Sequence, residues 1–231
     1  MKIGKLYGVG VGPGDKELIT LKALRILKEA DVVAVPLMKS GERTAFQIIE
    51  DYVSDKEIMD CVMPMSKNFD ELQKNYNKIS DEVEKHLKNG KDVAFITLGD
   101  PTVYSTYMQI NEIILNRGYE TQLIPGITSF CAAAASLNMP LCTRDEPLII
   151  LPASYEDVKD GIKQKGTKVL MKANRAIFDV RDILREENLI DNSYLVECCG
   201  MENEKVYKDL NEIDEKTSYF SIIIVKDEKH K

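Results

Sequence analysis

The sequence predicts an α/β protein with two domains, and three observations support this fold class. Short apolar runs alternate with amphipathic segments of helical periodicity along all 231 residues. Hydrophobic residues make up 44% of the chain, which is enough for a packed core. The length suits one large α/β domain or two small ones. The polar break "NRGYE" after the first half predicts a domain boundary, with domains over 1–117 and 118–231.

The first half predicts alternating strands and helices. Leucines at helical spacing mark its first helix, and Asn89-Gly90 ends its longest one. The apolar run "DVAFITL" predicts a strand that is buried on both faces. The predicted strands are Ile3–Val9, Asp31–Val35, Cys61–Met63 (ended by Pro64) and Asp92–Leu98, and the predicted helices are Lys16–Glu29, Arg43–Tyr52, Phe69–Lys88 and Val103–Asn116.

The second half predicts strands that follow one another more closely. Such spacing leaves little room for crossover helices, so we expect a mixed sheet there. The predicted strands are Thr121–Ile124, Leu148–Leu151, Lys168–Met171, Tyr194–Glu197 and Tyr219–Val225, and the predicted helices are Thr128–Leu137 and Arg175–Arg185.

Composition excludes several classes of protein. The net charge is −7, whereas a general nucleic-acid binder is usually basic. No apolar run reaches the ~18 residues of a membrane helix, and the first residues lack a signal-peptide pattern, so we expect a cytoplasmic protein with no membrane partner. The cysteine count of five is odd and no C-x-x-C pair occurs, which disfavours a disulfide framework or a zinc finger. The histidines, His86 and His230, are far apart in the chain, so we predict no metal site.

The segment "YGVGVGPGD" places four glycines at the end of the first strand and directly after it. It fails the G-x-G-x-x-G fingerprint from either Gly8 or Gly10, because the third glycine would fall on Pro13 or Asp15. It also fails the P-loop pattern, and Pro13 has no N–H for a phosphate. The Asp15 carboxylate would itself cap the next helix. Two interpretations stay open: a tight turn without a ligand, or a glycine surface facing a bulky organic molecule.

Three later stretches combine turn chemistry with hydroxyl groups or basic side chains. "LGDPTVYST" follows the buried strand, where α/β sheets bind ligands, although Asp100 could simply cap a helix. "PGITSFCAAAAS" begins a small-residue helix with Thr128 and Ser129, which could cap it or face a cofactor. "VLMKANR" ends a strand at Met171, followed by basic residues that could be ordinary surface charge or line a cleft.

Taken together and in this order, these four stretches resemble the tetrapyrrole methylase family over nearly the full chain. The resemblance implies two αβα domains with a cleft between them, a homodimer, a tetrapyrrole substrate and S-adenosylmethionine as cofactor. It implies that the glycine-rich loop borders the substrate trough. Carried over by motif, the cofactor contacts are Pro13, Leu98, Gly99, Asp100, Val103, Tyr104, Ser105, Thr106, Thr128, Ser129, Met171 and Cys199, and the substrate contacts are Gly10, Gly12, Pro13, Gly14, Lys172 and Arg175.

Within the family, "DVVAVP", "DPTVYSTYM" and "YFSIIIV" are most similar to members that methylate C20 of precorrin-2 or cobalt-factor II in cobalamin synthesis. One departure concerns a Glu-Arg-Ala-Thr-like segment, where this chain has Glu197 to Gly200, so only a backbone contact near Cys199 is carried over. The vicinal pair Cys198-Cys199 favours buried structural cysteine. The sequence leaves open another ring position, a nicotinamide-dependent oxidoreductase, and a binding module without turnover.

The implied reaction is an in-line transfer of methyl from a sulfonium to a meso carbon, which depends chiefly on proximity and alignment. The group that removes the ring proton is unknown from sequence; Tyr104 or water are the candidates. A polycarboxylate ring needs basic partners, and the candidates are Lys39, Arg43, Lys67, Arg144, Lys172 and Arg175.

Overall fold

The computed structural model describes residues 2–38, 41–63 and 68–227 of the chain. It divides into two compact units, Met1–Thr128 and Ser129–Lys231. No helix in the described ranges is both long enough and apolar enough to cross a membrane.

The first unit contains a five-stranded sheet in which every pairing is parallel. Its strands are β1 (Leu6–Gly10), β2 (Val32–Leu37), β3 (Glu57–Val62), β4 (Val93–Thr97) and β5 (Thr121–Ile124), in the spatial order β3-β2-β4-β1-β5. Because all strands run the same way, their carboxyl ends meet at one edge of the sheet. We call this edge, with the loops that leave it, the carboxyl edge.

Helices cover both faces of this sheet. They are α1 (Leu21–Glu29), α2 (Thr44–Gln47), α3 (Phe69–Lys88) and α4 (Tyr107–Asn116). Alternate residues of β1 and β2 pack with α1 and α2 on one face, around Val9, Val33 and Leu27. The other face packs Leu6 and Phe95 against α3 and α4. The first unit is therefore an αβα layer structure, as the sequence predicts.

The boundary between the units lies later than the sequence predicts. Strand β5 follows the polar break at 116–120, yet it pairs with β1 from Leu6↔Thr121 to Val9↔Ile124 and belongs to the first sheet. The division falls between Thr128 and Ser129 instead of after Arg117. Thr121–Ile124 therefore closes the first unit and does not open the second.

The second unit contains a mixed sheet, which confirms the prediction. Its strands are β6 (Leu148–Pro152), β7 (Thr167–Met171), β8 (Ser193–Glu197), β9 (Lys205–Tyr207) and β10 (Ser221–Val225), in the order β6-β7-β10-β8-β9. Only β6 and β7 are parallel; the other pairs are antiparallel. Its helices are α5 (Ser129–Ser136), α6 (Val158–Lys163) and α7 (Ile177–Glu186).

Two buried lysines form ion pairs at one end of the second sheet. Lys168 on β7 forms an ion pair with Asp227, which also accepts a hydrogen bond from the Gly166 N–H at 2.6 Å. Lys226 donates to Glu146 at 3.1 Å and to the carbonyl of Leu141 at 2.7 Å. The ion pairs hold the segment before β6 against the last strand.

Several predicted elements are shorter than expected for local reasons. The predicted helix Lys16–Glu29 is a 3₁₀ turn, Lys16–Leu18, followed by α1, because the Thr20 hydroxyl accepts from the Ala23 N–H at 3.1 Å and starts a new helix. The predicted helix Arg43–Tyr52 is likewise divided into α2 and a 3₁₀ turn. The short elements α6 and β9 were not predicted, and Pro64 lies outside the described residues.

Candidate functional site

Loops from three neighbouring strands meet at the carboxyl edge of the first sheet. They follow β1, β4 and β5, and they contain the cofactor positions predicted in the first unit. The loop after β4 has an irregular backbone, with Gly99 at φ 72° and Tyr104 at φ 49°. The predicted helix from Val103 therefore begins only at Tyr107. Positive φ is uncommon for a tyrosine, and such strain concentrates at functional sites.

Asp100 has both carboxylate oxygens occupied by protein groups. Oδ1 accepts from the Thr102 N–H at 2.8 Å and from the Thr102 hydroxyl at 2.5 Å. Oδ2 accepts from the Gly126 N–H at 3.0 Å. The carboxylate therefore ties the loop after β4 to the loop after β5, and it does not cap α4, whose N-cap is Thr106.

Three glycine backbones contact one another beneath these loops. A Cβ on Gly10 would lie 2.6 Å from both the Gly126 nitrogen and the Gly99 oxygen, and a Cβ on Gly126 would lie 2.1 Å from the Gly99 oxygen. Side chains at these positions would collide with main chain that cannot rotate away. The absence of a side chain at Gly10 therefore makes room for the main chain of Gly99 and Gly126.

Gly12 completes the same arrangement. Its φ is 87°, and it forms an isolated antiparallel bridge with Gly99, whose N–H donates to the Gly12 carbonyl at 2.7 Å. Asp15 accepts from the Glu17 N–H at 2.8 Å, so it caps the 3₁₀ turn Lys16–Leu18, whereas Thr20 caps α1. Pro13 is buried and Gly14 half-buried in the same turn. Sequence reasoning missed Thr102 and Gly126; an Asp with Thr two residues later is the signal for the first.

The hydroxyl groups at this edge differ in their partners. Thr97 Oγ1 lies 2.9 Å from Ser105 Oγ, which also accepts from the Tyr107 N–H at 3.3 Å. Thr128 Oγ1 is buried and has no hydrogen-bond partner within the described chain. An unsatisfied buried hydroxyl costs free energy until a ligand or water pairs with it. Of the other predicted positions, Leu98 and Val103 are half-buried and Thr106 is exposed.

Except for Ser129, the predicted positions of the second unit lie at or just after one end of its sheet. Met171 ends β7 and pairs with Ile222, which pairs with Val196 near the end of β8. Cys199 lies in the turn that follows β8, where Cys198 has φ 51°. Lys172 has φ 60°, and its Nζ lies 5.9 Å from the centroid of the Tyr219 ring. Ser129 begins α5, and Arg175 is exposed in a 3₁₀ turn.

The vicinal cysteines are buried free thiols, as the sequence predicts. Cys199 Sγ lies 3.6 Å from Ser136 Oγ, and burial raises the pKa of the Cys199 thiol to about 11. A thiol with that pKa is almost entirely protonated near neutral pH, so it is a poor nucleophile. Cys198 Sγ accepts from Asn203 Nδ2 at 3.5 Å. Both side chains thus have structural partners.

The basic candidates for substrate carboxylates fall into different environments. Arg43 forms an ion pair with Asp60 and lies 5.7 Å from the centroid of the Phe46 ring. Arg144 is exposed, with φ 52°, in the segment before β6. Lys39 and Lys67, like His230, lie outside the described residues.

Comparison with known proteins places this arrangement in a family. Residues 5–214 match the family described as Tetrapyrrole (Corrin/Porphyrin) Methylases. The chain belongs to the tetrapyrrole methylase family. It is 40% identical to a Methanocaldococcus jannaschii protein named probable cobalt-precorrin-2 C(20)-methyltransferase, over 97% of this chain and 96% of the relative. It is 31% identical to the Salmonella typhimurium protein named cobalt-precorrin-2 C(20)-methyltransferase, over 96% of each.

A solved structure of a tetrapyrrole methylase has the same fold. It is the uroporphyrin-III C-methyltransferase of Thermus thermophilus complexed with S-adenosyl homocysteine, which matches with a TM-score of 0.69 and 22% identity, over 97% of this chain and 98% of that chain. The two-sheet α/β architecture of this tetrapyrrole methylase is thus shared with a solved member of the family.

The residues at the carboxyl edge fit a nucleoside cofactor. Thr128 offers a buried hydroxyl that has no hydrogen-bond partner among the described residues, so it can pair with a bound ligand. The three hydrogen bonds from Thr102 and Gly126 to Asp100 fix the loops after β4 and β5.

Proposed function

We propose that this tetrapyrrole methylase transfers a methyl group from S-adenosylmethionine to C20 of a cobalt-containing precorrin-2 ring, or cobalt-factor II, in cobalamin biosynthesis. The observation that carries the proposal is the 40% identity over 97% of the chain to a relative named for that reaction. A second relative with the same named substrate, at 31% identity over 96% of the chain, supports the cobalt-loaded ring and the C20 position.

We assign the cofactor to the loops at the carboxyl edge of the first unit. Thr128 Oγ1 is the first candidate for a direct contact because it is buried and none of the described residues pairs with it. Leu98, Gly99, Tyr104, Ser105 and the remaining motif positions stay predictions, as do Met171, Ser129 and Cys199. The tetrapyrrole is assigned to the turn from Gly12 to Gly14, because Gly10 is buried against the main chain of Gly99 and Gly126. The predicted substrate contacts of Lys172 and Arg175 stay predictions.

The chain's own residues contribute chiefly position and exclusion of water in this proposal. The bound cofactor supplies an electrophilic methyl group on a sulfonium, whose positive charge disappears in the reaction. A free carboxylate beside that sulfur would stabilise the ground state more than the transition state. Asp100 instead accepts three hydrogen bonds from Thr102 and Gly126, which hold its carboxylate within the loops.

The ring carbon must lose a proton after methylation. Tyr104 is the side chain that we propose for this step, since it lies half-exposed in the same loop as Asp100. Its phenol oxygen would receive the ring proton while its own O–H proton passes to solvent water. Water is the alternative acceptor. We further propose that the protein works in the cytoplasm as a homodimer, which the family resemblance implies.

The proposal is tested with purified protein and two acceptors, cobalt-factor II and metal-free precorrin-2. We expect saturable calorimetric binding of S-adenosylhomocysteine and a product heavier by one methyl group, with NMR placing that methyl at C20. We expect the cobalt-loaded ring to be methylated faster. A methyl at another ring position would contradict the assignment of C20, and failure to bind either S-adenosylmethionine or S-adenosylhomocysteine would contradict the methyltransferase itself.

A further inference from the structure

The exposed apolar side chains of the first unit are unevenly distributed. Seven large hydrophobic residues are exposed in its described part: Ile3, Leu21, Val62, Phe69, Tyr104, Leu115 and Ile127. Five of them belong to the carboxyl edge, and only Ile3 and Leu115 lie at the opposite edge. Single exposed apolar residues are ordinary, but their concentration on one surface indicates a binding site.

The topology accounts for their common location. Val62 is the last residue of β3 and Phe69 the first residue of α3, which follows it. Leu21 is the first residue of α1, which follows β1. Tyr104 and Ile127 lie in the loops that leave β4 and β5. Chain segments that leave parallel strands begin at the carboxyl edge, so all five positions belong to it; we call them the apolar rim.

Folding does not explain the two most exposed members of the apolar rim. Leu21 is 86% exposed and Phe69 is 70% exposed, so neither side chain contributes much to a core. Both occupy the first position of a helix, and the caps of these helices come from Thr20 and Asn68 instead. A polar residue would serve equally well at either position for stability.

The apolar rim is too wide for a small ligand. Its members follow β3, β4, β1 and β5, and the sheet order β3-β2-β4-β1-β5 separates the outermost pair by four strand spacings. At ~4.8 Å per spacing, that is about 19 Å. A single nucleoside or amino acid cannot contact both ends of such a row, whereas a macrocycle with its side chains can.

We propose that the apolar rim is the surface that receives the flat face of the tetrapyrrole, and that Leu21 and Phe69 are specificity-determining contacts for it. This inference rests on the proposed function, because it takes the acceptor to be a tetrapyrrole. The conjugated ring is flat and apolar, so aliphatic and aromatic side chains gain by covering it. The carboxylates of the ring lie at its periphery, away from the flat face that the apolar rim would cover.

The test compares Leu21→Ser and Phe69→Ser, singly and together, with the control variants Ile3→Ser and Leu115→Ser. The controls remove apolar side chains that are 66% and 49% exposed, against 86% and 70% for Leu21 and Phe69, from the opposite edge. Equilibrium dialysis measures the Kd of cobalt-factor II, calorimetry the Kd of S-adenosylhomocysteine, and sedimentation the oligomeric state. We expect each rim variant to raise the ring Kd by at least about fivefold, and the double variant more. The cofactor Kd, the melting temperature and both controls are expected to match the wild type.

Three results would overturn the inference. Rim variants that bind the ring as tightly as the controls do would show that the rim does not contact it. Rim variants that change the oligomeric state while the ring Kd stays the same would assign this surface to a second copy of the chain. An equal rise of the ring Kd in rim and control variants would show that the carboxyl edge has no special role in binding the ring. Wild-type protein that binds no tetrapyrrole at all would instead refute the proposed function, so the two failures are distinguishable.

Discussion

The Asp100 carboxylate accepts a hydrogen bond from the Gly126 N–H at 3.0 Å and thereby connects the loops that leave β4 and β5. Its other oxygen is held by Thr102. Asp100→Asn replaces one acceptor oxygen by an amide that cannot accept. We expect a loss of about 1–3 kcal/mol in the free energy of unfolding, measured by urea denaturation, together with weaker binding of S-adenosylhomocysteine. Weaker binding with unchanged stability would indicate that Asp100 contacts the cofactor directly.

The contact between Gly126 and Gly99 predicts a strong steric effect. In Gly126→Ala the new Cβ would meet the Gly99 oxygen at 2.1 Å, so the loops must separate, and we expect a loss of about 3 kcal/mol in the free energy of unfolding. Gly118→Ala is the matched control, because its Cβ meets nothing within 4 Å and only its φ of 85° is unfavourable. We expect about 1 kcal/mol there. Equal losses in the two variants would contradict close packing of the glycines.

Thr128 and Thr97 should respond oppositely to the same substitution. Thr128→Val removes a hydroxyl that has no protein partner, so we expect unchanged or slightly higher stability and a several-fold weaker affinity for S-adenosylhomocysteine. Thr97→Val breaks the contact with Ser105 at 2.9 Å, so we expect a loss of about 1 kcal/mol in stability. Thermal unfolding and calorimetry measure both effects. An unchanged affinity for S-adenosylhomocysteine in Thr128→Val would show that this hydroxyl does not contact the cofactor.

The ion pairs of Lys226 and Lys168 predict loss of stability in acid. Burial alone would raise the pKa of Glu146, but hydrogen bonds from Thr167 and Lys226 more than offset this and lower the pKa below its ordinary value of 4.5. The pKa of Asp227 is likewise lowered, since hydrogen bonds from Lys168 and Gly166 outweigh its burial. A lowered folded-state pKa stabilises the protein above the unfolded value, and the contribution is lost as pH falls through the folded value.

The measurement is the free energy of unfolding of wild type and Glu146→Gln between neutral pH and acid. We expect the variant to be less stable at neutral pH and the difference to shrink below pH 4.5. A difference that stays constant with pH would exclude the Lys226 ion pair as its source.

The cysteines should divide into two classes of reactivity. Cys131 and Cys142 are exposed, whereas Cys61, Cys198 and Cys199 are buried, and burial raises the pKa of Cys61 to about 12. We expect iodoacetamide at mildly alkaline pH to modify the two exposed thiols in the native protein and all five only after unfolding. Peptide mass spectrometry assigns each site. Rapid native modification of Cys199 would contradict its packing against Ser136.

Local chemistry explains which elements were predicted well. Helix α3 has the predicted bounds, because Asn68 caps its first turn and Gly90, with φ 76°, ends it. Strand β5 was predicted with the right bounds but placed in the second unit. Its place in the first sheet depends on pairing with β1, more than a hundred residues earlier, and no local pattern encodes that partner.

The candidate site shows the same division. The hydroxyls and the Asp100 loop could be predicted as site residues because their residue types and order carry a family resemblance, and this assignment stays a prediction. The sequence did not predict the positive φ of Tyr104, with which α4 begins only at Tyr107. The hydrogen bond from the Tyr107 N–H to Ser105 forms only in the folded loop, so no local pattern indicates it. The role of Gly126 depends on its distance to Gly99, which composition cannot reveal.

The mutual contact of Gly10, Gly99 and Gly126 has a consequence for redesign of this enzyme. Because main chain contacts main chain at these glycines, no side chain can change its rotamer to make room for a larger residue. We therefore expect that random substitution at the three positions yields mostly misfolded variants. Altered acceptor scope is better sought by diversifying Leu21 and Phe69, whose replacement leaves the scaffold intact.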